Sequence, residues 1–175
     1  MIWELLKAVY LAAFGTLRRS EICALTAADI EKNTVHVNKA LALNEQRQWI
    51  IKTTKTASSI RDVGMPKEII KLFPKTDRIV NLNPNQITHC FARALKTLNI
   101  QYFRFHDLRH YAASMLHAIG IPDVYIMQRG GWASDGTLKK IYRGVMDDYK
   151  EKFTEKVFEH MNGMTQKMTQ KIKKP

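Results

Sequence analysis

The side chains best equipped for chemistry lie in residues 103–142. The stretch contains His106-Asp107-Leu108-Arg109-His110, then Gly130-Gly131-Trp132, and ends on Tyr142 in a basic segment. A guanidinium is a permanent cation, and imidazole, indole and phenol are hydrogen-bond donors or proton carriers. Together they suit an anionic substrate. The same residues admit two other readings. His106 and His110 have the i, i+4 spacing that puts two imidazoles on one metal ion, as in a zinc hydrolase, and Asp107 mimics the acid of such a motif. Against that, Arg109 would set a cation beside the metal and no third ligand is evident. The plainest alternative is an ordinary pair of helices.

The elements that position these residues can be read from periodicity. Residues 2–14 carry apolar side chains at helical spacing, Gly15-Thr16 breaks the pattern, and residues 18–25 resume it as a short second helix. Arg18 and Arg19 fall in its first turn, where the helix dipole disfavours cations and a bound anion would relieve the conflict; pairing with Glu21 or Asp29 is the simpler account. Residues 34–37, 48–53 and 59–63 read as three short strands, the last two joined by a hairpin tip that carries Lys55. Helices are expected over residues 66–73, then from Asn83-Pro84-Asn85 to Asn99 with Ile87, Phe91, Leu95 and Leu98 on the apolar face. A helix over residues 106–119 places Leu108, Ala112, Met115, Leu116 and Ile119 on its apolar side and His106, Arg109 and His110 on a shared polar face. Further helices span residues 122–129, a segment capped by Ser134 or Asp135 that contains Leu138, Ile141 and Tyr142, and residues 147–161. The lysine-rich end, residues 165–175, frays. This order predicts an α+β fold, mostly helical, with a small three-stranded antiparallel sheet.

The 175 residues fit one domain, and the net charge of +12 is the footprint of a polyanion binder. A solubilising surface and an anionic membrane are the alternatives, but no segment outside the tail pairs a long apolar face with a lysine-rich one. Cys23 and Cys90 are in no metal spacing and read as reduced, buried thiols of an intracellular protein. No signal peptide is evident, and no apolar run is long enough to span a bilayer. The chain starts inside an amphipathic helix, which suggests a domain separated from an N-terminal partner.

Taken in order, Arg18, Lys55, His106-x-x-Arg109, Trp132 and Tyr142 resemble the tyrosine recombinase (phage integrase) family. Leu17-Arg18-Arg19-Ser20-Glu21-Ile22 resembles its first arginine box, Thr54-Lys55-Thr56 its hairpin lysine, and His106-Asp107-Leu108-Arg109-His110 its second box. Two departures stand out. The usual Thr-Gly-Leu-Arg is here Gly15-Thr16-Leu17-Arg18, and Trp132 stands where a histidine is usual.

The resemblance implies the DNA breaking-rejoining catalytic fold over residues 1–163, a basic tail over 164–175, and an N-terminal core-binding domain absent from this chain. It implies a site-specific recombinase that cleaves and rejoins DNA through a 3′-phosphotyrosine, with chemistry like that of type IB topoisomerases. Phage or mobile-element integration or excision is the implied biology. A phosphodiester resists attack because its free oxygens share a negative charge, so Arg18 and Arg109 would clamp those oxygens while Trp132 and His106 add donors. Tyr142 would be the nucleophile, and Lys55 the acid that protonates the leaving 5′-hydroxyl. His110 would orient the site or assist proton transfer. Arg18, Lys55 and Arg109 would thus also bind DNA, whereas Glu21 and Asp107 are structural, pairing with nearby arginines or backbone. Neither metal nor ATP is required, because the phosphotyrosine keeps the bond energy. The implied partner is double-stranded DNA at recombination sites, bound by a homo-tetramer of the full-length protein, with the isolated domain monomeric. Its place would be on DNA in the cytoplasm of a bacterial or phage-infected cell, with no membrane. A non-catalytic DNA-binding module is the rival that shares the charge but forms no covalent product.

Overall fold

The computed structural model describes residues 2–54, 59–75 and 77–143, together with Glu155 and Phe158. It begins with α1 (Ile2–Ala13), whose buried Ala8, Leu11 and Ala12 recur at helical spacing. The turn that follows is tight for two separate reasons. A Cβ on Gly15 would sit 2.6 Å from Leu17 Cδ1 and 2.7 Å from the Leu11 carbonyl oxygen, so no side chain fits. Thr16 adopts φ 56°, a left-handed conformation that costs a β-branched residue about 1–2 kcal/mol. Its hydroxyl lies within hydrogen-bond distance of the Gly15 (2.6 Å) and Arg129 (3.2 Å) carbonyl oxygens, which offsets part of that strain. The glycine shifted by one in the sequence is thus fixed by close packing, and the strained dihedral falls to threonine.

Helix α2 (Arg19–Ile22) buries Glu21 and Ile22. A three-stranded antiparallel sheet runs in the order β1 (Ile30–Glu31), β2 (Thr34–Val37), β5 (Arg61–Gly64), and β3 (Lys39–Leu43) pairs with β4 (Trp49–Thr53) as a separate ribbon. The register sets Val35 opposite Val63 and Val37 opposite Arg61. The expected three-stranded sheet therefore exists, but with different members. The strand over residues 48–53 does not form a hairpin with the strand that follows it; β4 pairs back onto β3, and β5 pairs with β2. The reason is local. Lys39-Ala40-Leu41-Ala42-Leu43 is built of residues with weak strand preference, so its sequence hides a strand. The turn between β3 and β4 is closed by Asn44 and Gln48, whose backbone groups bond at 2.9 Å while the Gln48 N–H donates to Asn44 Oδ1 at 2.8 Å. Lys55 and the rest of the expected tip, residues 55–58, lie outside the described residues.

Helices α3 (Lys67–Ile70) and α4 (Pro84–Thr97) follow. A capping box opens α4: Asn83 Oδ1 accepts from the Gln86 N–H at 2.9 Å, Gln86 Oε1 accepts from the Asn83 N–H at 2.8 Å, and Pro84 takes the first helical position. Ile87, Phe91 and Leu95 are buried as the periodicity requires, whereas Leu98, beyond the helix end, is exposed. Phe91 stands edge-on to Phe103 and Phe105, with centroids 5.2 and 5.4 Å away. Helices α5 (Asp107–Ala118), α6 (Asp123–Gly130) and α7 (Asp135–Arg143) complete the described elements.

The buried side of α5 is Arg109, Ala112, Ala113 and Ser114, so Arg109 does not share an outward polar face with the histidines, and Ile119 is exposed rather than packed. The core joins α1, α2, the three-stranded sheet and α4 through Leu11, Leu17, Ile22, Val35, Val63 and Ile87. Contacts cluster into two units, Met1–Ile141 and Tyr142–Pro175. In the second, Glu155 and Phe158 are helical and exposed, and the remainder of the helix expected over residues 147–161 lies outside the described residues.

Gly15→Ala is expected to destabilise the fold by about 1–3 kcal/mol, because the Leu11 carbonyl cannot yield to a Cβ. A chemical denaturation midpoint unchanged from wild type would refute the close approach.

Candidate active site

The site is built on the last carbonyls of α6. Three consecutive residues, Arg129, Gly130 and Gly131, each accept from a different arginine. Arg61 Nε donates to the Arg129 oxygen at 2.7 Å, Arg109 Nη2 to Gly130 at 2.5 Å, and Arg18 Nη2 to Gly131 at 2.6 Å. A helix C-terminus carries partial negative charge and unpaired carbonyls, so it is a natural anchor for cations. Gly131 allows this by taking φ 64°, the left-handed conformation that ends the helix and turns its carbonyl outward. Arg109 Nη1 also donates to the Thr16 carbonyl, which ties α5 to the strained turn after α1.

Arg109 is only 1% exposed, and its Nε is buried without a partner among the described residues. Its Cζ lies 4.1 Å from the centroid of the Trp132 ring. The indole in turn lies against Gly130, where a Cβ would come within 1.9 Å of the ring. Trp132 is itself buried, so it serves the guanidinium as a stacked floor. Burial, then the Arg18 charge, pulls the Arg109 pKa down to about 9 against the opposing pull of Glu21, with Arg61 adding to the fall. It remains a cation at neutral pH.

Arg18 is the more open partner, with its side chain 32% exposed. Glu21 Oε2 accepts its backbone N–H and Glu21 Oε1 its Nη1, both at 2.7 Å. Glu21 is fully buried, which on its own would raise its pKa; hydrogen bonds and charge from Arg61, then the N–H and charge of Arg18, reverse that and hold it below the ordinary carboxylate value. Sequence reasoning paired Glu21 with an arginine correctly but overlooked Arg61. The one available signal was a charged residue at an inward position of a strand, opposite Val37.

His106 and His110 meet edge-to-face at 4.6 Å between centroids at the start of α5. His106 is exposed at its edge, yet partial burial, then the charges of His110 and Arg109, bring its pKa down to about 4 despite Asp107. His110 is lowered in the same direction, by burial first and then by Arg109 and Arg104 against Asp107, and its buried Nδ1 has no partner among the described residues. Both rings are therefore neutral at pH 7. Asp107 is occupied by Arg104, taking its Nη2 at 2.9 Å and its backbone N–H at 2.9 Å. Among the described residues, no three His, Cys, Asp or Glu side chains are grouped to hold a metal ion. Beside the site opens a cleft of about 690 Å³ lined by Arg18, Arg19, Thr88, Trp49, Arg104 and His106 among others. Among the described residues no carboxylate lines it.

The structure thus brings Arg18, Arg109 and Trp132 together at one helix end and sets His106 and His110 at the start of the helix that carries Arg109. Tyr142 is in the last turn of α7 and belongs to the second unit. Lys55 is outside the described residues.

Residues 4–148 match the Phage integrase family, and the chain belongs to that family. A protein of Caldanaerobacter subterraneus subsp. tengcongensis, tyrosine recombinase XerC-like, is 24% identical over 183 aligned residues, covering 83% of this chain and 47% of that protein. The integrase of Salmonella phage P22 is 51% identical over 41 residues, 23% of this chain and 11% of the phage protein. Among solved structures, the Tn1549 transposon integrase in complex with a circular intermediate DNA superposes with a TM-score of 0.68 at 18% identity, over 81% of this chain and 57% of that one. That likeness shows the tyrosine recombinase catalytic fold. The chain spans about half the length of the XerC-like relative.

The lowered His106 pKa fixes the sign of an acid effect. A base neutral when folded but protonated when unfolded stabilises the fold above its unfolded pKa of about 6.5, and that contribution is lost as pH falls toward about 4. NMR titration of the ring is expected to show a midpoint well below 6.5, moving upward when phosphate or DNA is added. A midpoint at or above 6.5 in the free protein would contradict the placement.

Proposed function

We propose that this chain carries the catalytic centre of a site-specific DNA recombinase, cleaving and rejoining double-stranded DNA through a 3′-phosphotyrosine. The observation that carries it is the convergence of Arg18 and Arg109 on adjacent carbonyls, Gly131 at 2.6 Å and Gly130 at 2.5 Å, from opposite ends of the larger unit's sequence. Two guanidinium groups held side by side match the two non-bridging oxygens of a phosphodiester. Charge builds on those oxygens as the nucleophile attacks, so fixed cations stabilise the transition state more than the ground state.

In this mechanism the Tyr142 phenolate attacks phosphorus, the new P–O bond forms as the bond to the 5′-oxygen breaks, and Lys55 returns a proton to that oxygen. A neutral His106 donates a hydrogen bond to the phosphate, and Trp132 holds Arg109 in plane beneath it. His110, packed on His106, orients that ring. Attack by a 5′-hydroxyl on the phosphotyrosine reverses the step, so ATP and metal have no role. Residues 1–163 act as the catalytic domain and 164–175 as a basic tail. In the full-length protein four copies act on two DNA sites, integrating or excising a phage or mobile element. The isolated chain is a monomer, and its cellular place is on DNA in the cytoplasm.

A nicked suicide substrate traps the covalent intermediate. Wild type is expected to give a protein–DNA adduct on a denaturing gel, Tyr142→Phe none, and Arg109→Ala a rate about 100-fold lower or less, the loss typical of one oxyanion donor. No wild-type adduct, with DNA binding retained, would leave a non-catalytic DNA-binding module as the function. An adduct from Tyr142→Phe would remove the nucleophile from the mechanism.

A further inference from the structure

Arg61 is the buried cation that phosphate chemistry leaves unassigned. Its side chain is 2% exposed, as is that of Glu21, and the two meet at 2.9 Å through Nη2 and Oε2 and at 3.1 Å through Nη1 and Oε1. Nη1 also donates to the Ser59 carbonyl at 3.1 Å, and Nε to Arg129 at 2.7 Å. Arg61 is therefore turned wholly inward and cannot touch a ligand. Glu21, however, shares its single charge between Arg61 and Arg18, and Arg18 is the one with solvent access, its side chain 32% exposed.

The division of that charge decides how Arg18 behaves. A fully buried guanidinium depends on its counter-ion, because desolvation is expensive for an unpaired charge. A partly exposed one can use water or a ligand instead. Arg61 thus takes up the neutralisation of Glu21. Arg18 keeps the geometry that Glu21 imposes, through its backbone N–H and Nη1, but retains its net charge. Arg61 also anchors the Arg129 carbonyl, one residue before the carbonyls that seat Arg109 and Arg18.

We propose that Arg61 is a positioning residue of the phosphate clamp: by satisfying Glu21 and pinning the end of α6, it keeps Arg18 oriented yet electrostatically free for the scissile phosphate. This inference rests on the recombinase function proposed above. Without Arg61, the buried Glu21 carboxylate draws Arg18 inward, and the clamp loses its second charge although Arg61 itself touches no ligand.

The test compares an ordinary nicked substrate with one bearing a neutral methylphosphonate at the scissile position, using the full chain at saturating DNA. On the phosphodiester, Arg61→Gln is expected to slow adduct formation about 10- to 100-fold with DNA affinity little changed. On the methylphosphonate, whose missing charge makes the second cation less necessary, the defect should shrink at least about tenfold, as for Arg18→Ala. The double variant should be no slower than Arg18→Ala alone. Arg61→Lys, which keeps a cation beside Glu21, should recover most of the phosphodiester rate; if the glutamine variant does not fold, Arg61→Met carries the two-substrate comparison. An equal defect on both substrates, additive with Arg18→Ala and following the loss in Tm, would make Arg61 merely structural and overturn the inference alone. A wild-type chain that forms no adduct on either substrate overturns the recombinase function, and this inference with it.

Discussion

A single buried carboxylate holds this site together, and it is outnumbered by the cations it serves. Glu21 pairs directly with Arg18 and Arg61 and pulls on the charge of Arg109. Such an arrangement would be unfavourable without further acceptors, since buried like charges repel in a medium of low polarisability. The end of α6 supplies them. Two carbonyls of its last turn, Arg129 and Gly130, and that of the cap residue Gly131 receive the three guanidinium groups, so the helix terminus acts as a second, diffuse counter-ion. The turn at Gly15-Thr16, the left-handed Gly131 and the Gly130–Trp132 contact all exist to bring that terminus, α2 and α5 within bonding distance.

The charge environment bears the mark of incomplete neutralisation. Arg109, Arg129, His106 and His110 all have pKa values shifted downward, with burial as the leading cause and neighbouring cations adding to it. Glu21 shifts downward too, because the same cations favour its ionised form. Groups of both kinds thus report one local excess of positive potential. A dianionic or monoanionic phosphorus centre would relieve it, and strained electrostatics of this sort are what functional clefts concentrate.

Much of the fold was legible in the sequence, because helical periodicity and end signals are local. The start of α4 beside Asn83-Pro84, the extent of α6 and the apolar stripe of α1 were each readable close to where the structure places them. What escaped was set by pairing partners that periodicity does not register. The Ala/Leu character of β3 concealed a strand that only β4 makes stable, and the resulting ribbon removed the expected pairing of β4 with β5. Arg109 was assigned an outward face by its spacing from His106 and His110. Its true direction depends on the Thr16 and Gly130 carbonyls, which no periodicity reveals. Arg61 was overlooked because its importance comes from Glu21 on another element. The boxes that carry Arg18, His106 and Arg109 were readable as a set, since residue type and order survive where geometry is invisible.

The contacts that define the site span most of the chain. Arg18 reaches a carbonyl 113 residues away, and Arg109 reaches one 93 residues before it. Contacts of such separation close late, after the entropy of a long loop has been overcome. During synthesis, the first arginine emerges long before the helix end that seats it. A partly made or truncated polypeptide therefore has neither clamp nor floor. The site is complete only when the last long-range bonds close, so the fold itself times its appearance.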